Sequence, residues 1–123
     1  MIIGIGTDII EIERIERAVN KTKNFLEKIF TEKEIKLFQS KNMRAEVMAG
    51  NFAAKEAISK AIGTGIRGFS LKDIEILRDE LGKPIATLNE NIVKILGVNS
   101  FRLNITISHN NTSAIAFAIL EEI

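Results

Sequence analysis

The 123-residue sequence predicts an α+β fold, a mainly antiparallel sheet packed with helices around one long central helix. Three observations predict it. The chain opens and closes on short apolar segments of strand type, the Ile-rich Met1–Gly6 and the Ala- and Ile-rich Ser113–Leu120. Between them an unbroken helical pattern runs from about Arg44 to Ile62 and stops at Gly63. Two further strand-like segments, Leu71–Leu77 and Ile85–Leu88, flank RDELGKP (Arg78–Pro84), whose Gly and Pro suit a hairpin connection. The resulting order is β-α-α-α-α-β-β-α-β-β, read as a single domain spanning 1–123.

The elements follow from local chemistry. Met1–Gly6 is short and apolar, the pattern of a buried strand. Asp8 with Glu11 three residues on has the form of a helix amino-terminal cap, so a helix is predicted over about Ile9–Val19 with Ile12, Ile15 and Val19 on one face. Asn24 is placed to cap a short helix through Phe25, Leu26, Ile29 and Phe30. Thr31 and Glu34 form a second capping box, opening a helix with Ile35, Leu37 and Phe38. The long helix is apolar or small around nearly its whole circumference, which predicts burial, in part against another subunit. Asn89 caps a short helix that Gly97 ends. Phe101, Leu103, Ile105 and Ile107 alternate with Arg102, Asn104, Thr106 and Ser108 as a half-exposed strand. His109–Thr112 turns the chain, and the last strand reads as apolar on both faces.

Composition excludes several function classes. There are no cysteines, hence no disulfide framework, thiolate metal site or cysteine nucleophile. With 17 Lys+Arg against 16 Asp+Glu the net charge is +1, and there is no Trp or Tyr beside 22 Ile and 7 Phe. A nucleic-acid partner, which needs a basic stripe or stacking platforms, is not expected. The longest apolar run, Ala114–Leu120, is far short of the roughly 20 residues of a spanning helix. The apolar amino terminus meets Asp8 without a basic flank, unlike a signal peptide. A cytoplasmic protein without membrane insertion is expected.

Few side chains carry candidate chemistry. Asp8 is either a helix cap or, at a strand's end, a hard oxygen ligand for a divalent cation. Glu56 and Lys60 lie one turn apart in the long helix, with Phe52 one turn before Glu56. They are either a solvated ion pair or a carboxylate in apolar surroundings that calls for a metal or an ammonium. Gly63-Thr64-Gly65 follows a helix, whereas phosphate-cradling glycine loops precede one. His109, the only histidine, sits at a strand-to-turn junction after Ser108.

Four segments, GIGTDIIEIERI (4–15), FAAKEAISKAIGTGI (52–66), DELGKP (79–84) and ITISH (105–109), resemble those of the small bacterial 4′-phosphopantetheinyl transferases, the holo-acyl-carrier-protein synthases. The resemblance covers essentially the whole chain in the family order. It implies transfer of the 4′-phosphopantetheine arm of coenzyme A to a serine of an apo acyl carrier protein, in support of fatty acid biosynthesis. It implies Asp8 and Glu56 as ligands of Mg²⁺ (Mn²⁺ a possible substitute) and Lys60 beside the diphosphate. It also implies Glu56, or a water it polarises, as acceptor of the serine proton. Gly63, Thr64, Gly65, Gly82, Lys83, Pro84, Ser108 and His109 would surround coenzyme A, and Arg14 would meet the carrier protein. A homotrimer with sites between subunits is implied as well.

One position departs from the family pattern. Asn51 stands where an arginine commonly precedes F-x-x-K-E, so weaker coenzyme A binding than in arginine-bearing relatives is expected, with Arg44, seven positions earlier, a candidate to compensate. The competing reading of the same residues is a non-catalytic oligomeric binding module with Glu56–Lys60 as a structural ion pair. Asp8 and Glu56 converging on one point separates the two.

Overall fold

The computed structural model describes residues 1–123. Its elements are β1 (Ile2–Glu11), α1 (Ile12–Lys21), α2 (Phe25–Ile29), α3 (Glu32–Ser40), α4 (Ala45–Ile62), β2 (Ile74–Arg78), β3 (Pro84–Leu88), α5 (Glu90–Leu96), β4 (Phe101–His109) and β5 (Ser113–Glu122). A 3-10 turn at Leu71–Asp73 leads into β2, so that predicted strand begins three residues late. The predicted order holds, but the strands form two antiparallel sheets: β1-β5-β4 and the hairpin β2-β3.

The long helix α4 lies against the inner face of the three-stranded sheet, and small residues let it come close. Gly4 and Gly6 on β1 face the helix so tightly that a Cβ on either would overlap the carbonyl oxygen of Ala61 or Ala57. On β5 the inner face is Ala114, Ala116, Ala118 and Leu120, all buried. The helix contributes Ala49, Ala53, Ala54, Ala57, Ile58 and Ala61 to the same core. Gly63, left-handed at φ 86°, ends the helix with its N–H on the Ser59 carbonyl, as the sequence predicts.

One strand reading needs correction: β1 is predicted as a buried strand. The last strand, β5, is apolar on both faces as predicted. The glycine and alanine sides are the buried ones, whereas Ile5, Ile9, Ile115 and Phe117 are 60%, 67%, 43% and 38% exposed. Close approach to α4 selects small residues inward, and the alternation of a strand then turns the large ones outward.

The helix starts also differ from expectation. Asp8 caps nothing: it lies within β1, opposite Ala116. Pairing continues to Glu11 opposite Ser113, and the Ile12 N–H reaches the Thr112 carbonyl. The ladder satisfies the backbone that a cap would have served, so α1 starts at Ile12, with Ile12 and Ile15 buried as predicted. Asn24 is left-handed at φ 61° and makes no side-chain cap bond. The Thr31–Glu34 capping box and the Asn89 cap are both present.

A buried polar cluster ties α3, α4 and β2 together. Glu34, Asn51 and Lys55 are each 0% exposed. Glu34 accepts from Lys55 Nζ at 2.6 Å, from Asn51 Nδ2 at 3.1 Å, and from the Thr31 and Ile76 N–H groups. Lys55 also donates to the Leu71 and Ile74 carbonyls and stands 5.2 Å from the Phe30 ring centroid. Burial pushes the Glu34 carboxyl up and the Lys55 ammonium down, and each charge opposes the other's shift. No buried side-chain polar atom lacks a partner, so the cluster holds the β2-β3 hairpin to the side of α4.

Candidate functional site

Asp8, Glu56 and Lys60 come together at the β1 side of α4. The glycine-mediated approach of β1 to the helix sets Asp8 beside the Glu56–Lys60 turn. Lys60 Nζ donates to the Thr7 carbonyl at 2.9 Å and to Asp8 Oδ1 at 3.4 Å. The Asp8 side chain is 18% exposed and the Lys60 side chain 57%. Burial first, then the charge of Asp8, raises the Glu56 carboxyl above the ordinary range, and Lys60 partly opposes this. Asp8 and Glu56 line one depression of about 360 Å³ with Arg14, Phe25 and Phe52. Phe52 one turn before Glu56 thus does build its apolar surroundings.

The donor chemistry at this point is that of a hard cation. Two carboxylates repel one another, and no third His, Cys, Asp or Glu joins them in a metal-holding group. Mg²⁺ is commonly held this way, by one or two carboxylates with water and phosphate oxygens completing the octahedron. Asp8 and Glu56 therefore fit Mg²⁺, and Mn²⁺ for the same reason.

The other candidates divide. Gly63, Thr64 and Gly65 continue from the Lys60 end of α4 in an exposed turn where the Thr64 hydroxyl donates to the Gly65 carbonyl. Gly82, Pro84 and His109 line a separate cleft of about 550 Å³ on the opposite side of α4. Val47 lies in that cleft, and nine residues at 100° each set it about 180° around the helix from Glu56. Lys83 is in the hairpin turn, where its N–H donates to Asp79 Oδ1, but does not line the cleft. Ser108 alternates with His109 and stands on the outward sheet face, exposed, so the structure does not bring these two neighbours together.

Arg44 does line this cleft, paired with Glu46 at 3.1 Å. Asn51 does not reach it. It is buried, and its Oδ1 accepts from Arg78 at 2.8 Å. Sequence reasoning missed Lys41 and Arg78, which join Arg44 there. For Arg78 the available signal was a cation opening the hairpin that carries Gly82 and Pro84. Nothing in the local pattern tied Lys41 to either.

The fold and the paired carboxylates define a class. The family model for the 4′-phosphopantetheinyl transferase superfamily matches residues 4–118, and the chain belongs to that family. Within it, the chain is 61% identical over 123 residues to the holo-[acyl-carrier-protein] synthase of Clostridium beijerinckii, covering all of both chains. Among solved structures, it is similar to the Bacillus anthracis holo-(acyl-carrier-protein) synthase in complex with CoA (3′,5′-ADP), with TM-score 0.82 and 41% identity over 100% of this chain and 99% of that one. The Helicobacter pylori holo-[acyl-carrier-protein] synthase in complex with coenzyme A gives TM-score 0.83 and 36% identity over 95% and 99%.

Proposed function

We propose that Asp8 and Glu56 hold Mg²⁺ and, with Lys60, form the catalytic centre of a holo-[acyl-carrier-protein] synthase formed by residues 1–123 as one domain. The protein transfers the 4′-phosphopantetheine group from coenzyme A to a serine of an apo acyl carrier protein and releases adenosine 3′,5′-bisphosphate. The observation that carries the site assignment is the convergence of Asp8, Glu56 and Lys60 from two elements 48 residues apart in sequence (Asp8 to Glu56). A structural Glu56–Lys60 ion pair would not need Asp8, and Lys60 pairs with Asp8, not Glu56.

Mg²⁺ bound there would offset negative charge on the coenzyme A diphosphate. The serine oxygen attacks the phosphorus bearing the pantetheine arm. Its new bond to phosphorus forms as the bond to the adenosine-side phosphate breaks, and the serine proton passes to Glu56 directly or through a water. Lys60, fixed by Thr7 and Asp8, adds positive charge beside the diphosphate. Gly63, Thr64 and Gly65 flank the nucleotide on this side, and the cleft residues Gly82, Pro84 and His109 contact coenzyme A from a second copy.

The site is shared between copies in a homotrimer. Its two halves lie on opposite sides of α4, and the outward sheet face carries Ile5, Ile9, Ile115 and Phe117 exposed, an apolar surface suited to self-association. Arg14 opens on the carboxylate depression and belongs to no ion pair, unlike Arg17, which is bound to Glu13 at 3.0 Å. It is free to meet an acidic carrier protein. No helix is long and apolar enough to cross a membrane, in keeping with a cytoplasmic role in lipid metabolism.

Intact-mass spectrometry of an apo acyl carrier protein incubated with this protein, coenzyme A and Mg²⁺ tests the assignment. Addition of one phosphopantetheine, lost with a chelator or in Asp8→Ala, is the expected result. A mass gain that persists at the wild-type rate in Asp8→Ala would remove Asp8 from the reaction.

A further inference from the structure

We propose that Lys60 is a counter-ion switch: paired with Asp8 it keeps a lone divalent cation weakly bound, and on meeting a diphosphate it leaves Asp8 to the metal, so that metal and coenzyme A bind cooperatively. This rests on the function proposed above and goes beyond placing Lys60 beside the diphosphate, because it gives the residue a part in the order in which the site fills.

Lys60 competes for the oxygen that a metal would use. Its ammonium donates to Asp8 Oδ1 at 3.4 Å and forms no ion pair with Glu56, although both stand on α4. An ammonium on a carboxylate and a divalent cation on the same carboxylate share lone pairs and repel one another. Lys60 thus offsets one of the two negative charges of the Asp8–Glu56 pair. Arg14 lines the same depression, belongs to no ion pair and reduces the attraction further. With two carboxylates as its only acidic ligands and two cations beside them, the site lacks the negative charge to hold a divalent cation tightly by itself. A diphosphate supplies the missing negative charge.

The contacts of Lys60 suit an exchange. An ammonium has three N–H donors. One goes to the Thr7 carbonyl at 2.9 Å, the longer contact goes to Asp8, and no protein acceptor takes the third. The side chain is 57% exposed while that of Asp8 is 18% exposed, so Lys60 can turn about its Thr7 anchor and Asp8 cannot follow far. Passing its second donor from Asp8 to a phosphate oxygen breaks a long bond and makes a charge-assisted one. The same movement frees Asp8, so each ligand strengthens the other by an equal factor.

Electron paramagnetic resonance of Mn²⁺, whose free aquo ion gives a signal that binding removes, reads this without turnover. Titrated with Mn²⁺ alone at pH 8, Lys60→Met should bind about 3- to 30-fold tighter than wild type, up to twice the free energy of an exposed ion pair because the metal carries two charges. Titrated calorimetrically with coenzyme A at fixed Mn²⁺, the same variant should bind it at least about threefold more weakly, having lost the phosphate contact. Shifts of opposite sign are not what a merely structural lysine gives, since disordering the carboxylates weakens both ligands. Asp8→Ala sets the background of metal bound elsewhere, and Lys60→Arg, which keeps the charge, should hold Mn²⁺ alone as weakly as wild type. If Lys60→Met does not fold, Lys60→Gln takes its place. Mn²⁺ affinity in the variant equal to or below that of wild type, or no binding above the Asp8→Ala background in either, overturns the proposal. Failure of the wild type to transfer phosphopantetheine in the mass assay overturns the function itself.

Discussion

Lys55 and Glu56 are neighbours in one motif, yet α4 turns them into opposite kinds of residue. Lys55 is fully buried and gives all three of its N–H donors to Glu34 and two carbonyls. Glu56 sits half-buried beside another carboxylate, with no hydrogen bond to its side chain and a raised pKa. The first environment is closed: every group in it has its partner, and nothing remains for a ligand to supply. The second is only partly resolved by the protein: Lys60 pairs with Asp8 and offsets part of the repulsion, and a further cation or a proton relieves the rest. Satisfied buried charge builds architecture, whereas unsatisfied charge in an accessible depression marks reactivity.

Exchanging the two roles is the strongest way to break that contrast. Glu56→Ala should lower transfer at least about 100-fold, on the scale of losing one preorganised electrostatic group, while the urea midpoint stays near wild type. Lys55→Ala should do the reverse. It strands the Glu34 carboxylate in the interior, at a cost of about 3–5 kcal/mol, read from urea unfolding. Should Glu56→Ala unfold the protein and Lys55→Ala leave stability intact, the division would be wrong.

Gly6→Ala probes what joins the two regions. The added methyl group meets the Ala57 carbonyl, so β1 must move off α4, a cost of about 1–3 kcal/mol for overpacking. Asp8 is two residues further along the same strand face, so the displacement should also carry it from Lys60 and Glu56. Transfer should fall and the Mg²⁺ requirement rise together, measured by titrating Mg²⁺ in the mass assay. A mutant that loses stability but keeps the wild-type Mg²⁺ dependence would separate the packing from the site.

Much of this was legible in the chain, and the gaps share a cause. The element order, the Thr31 and Asn89 caps and the Gly63 stop depend on residues near in sequence, and all are present. The convergence of Asp8 with Glu56 and Lys60 followed from a motif combination, not from periodicity. What escaped was set by partners remote in sequence. Asp8 looked like a cap because its pairing partner Ala116 is more than a hundred residues away. Ile5 looked buried because composition does not say which face of a strand meets a helix. Asn51 looked like a missing phosphate ligand, whereas burial makes it the support of Arg78, 27 residues on.

The smallest expected effect tests the electrostatic half of the contrast without touching its shape. Glu56→Gln replaces the carboxylate by a neutral group of the same size. In the metal-free protein the Glu56 pKa is raised by burial and by Asp8. A raised pKa stabilises the fold fully below the unfolded value, about 4.3 for Glu, and that contribution is lost as pH rises through the folded value. Wild type and Glu56→Gln should therefore have similar thermal midpoints near that pH, and the mutant should be the more stable of the two at neutral pH. Mg²⁺ should then narrow the gap by binding the folded wild type alone. A gap that is constant across pH, or unmoved by Mg²⁺, would mean that Glu56 is an ordinary solvated charge and that the tension between it and Asp8 has no part in holding the metal.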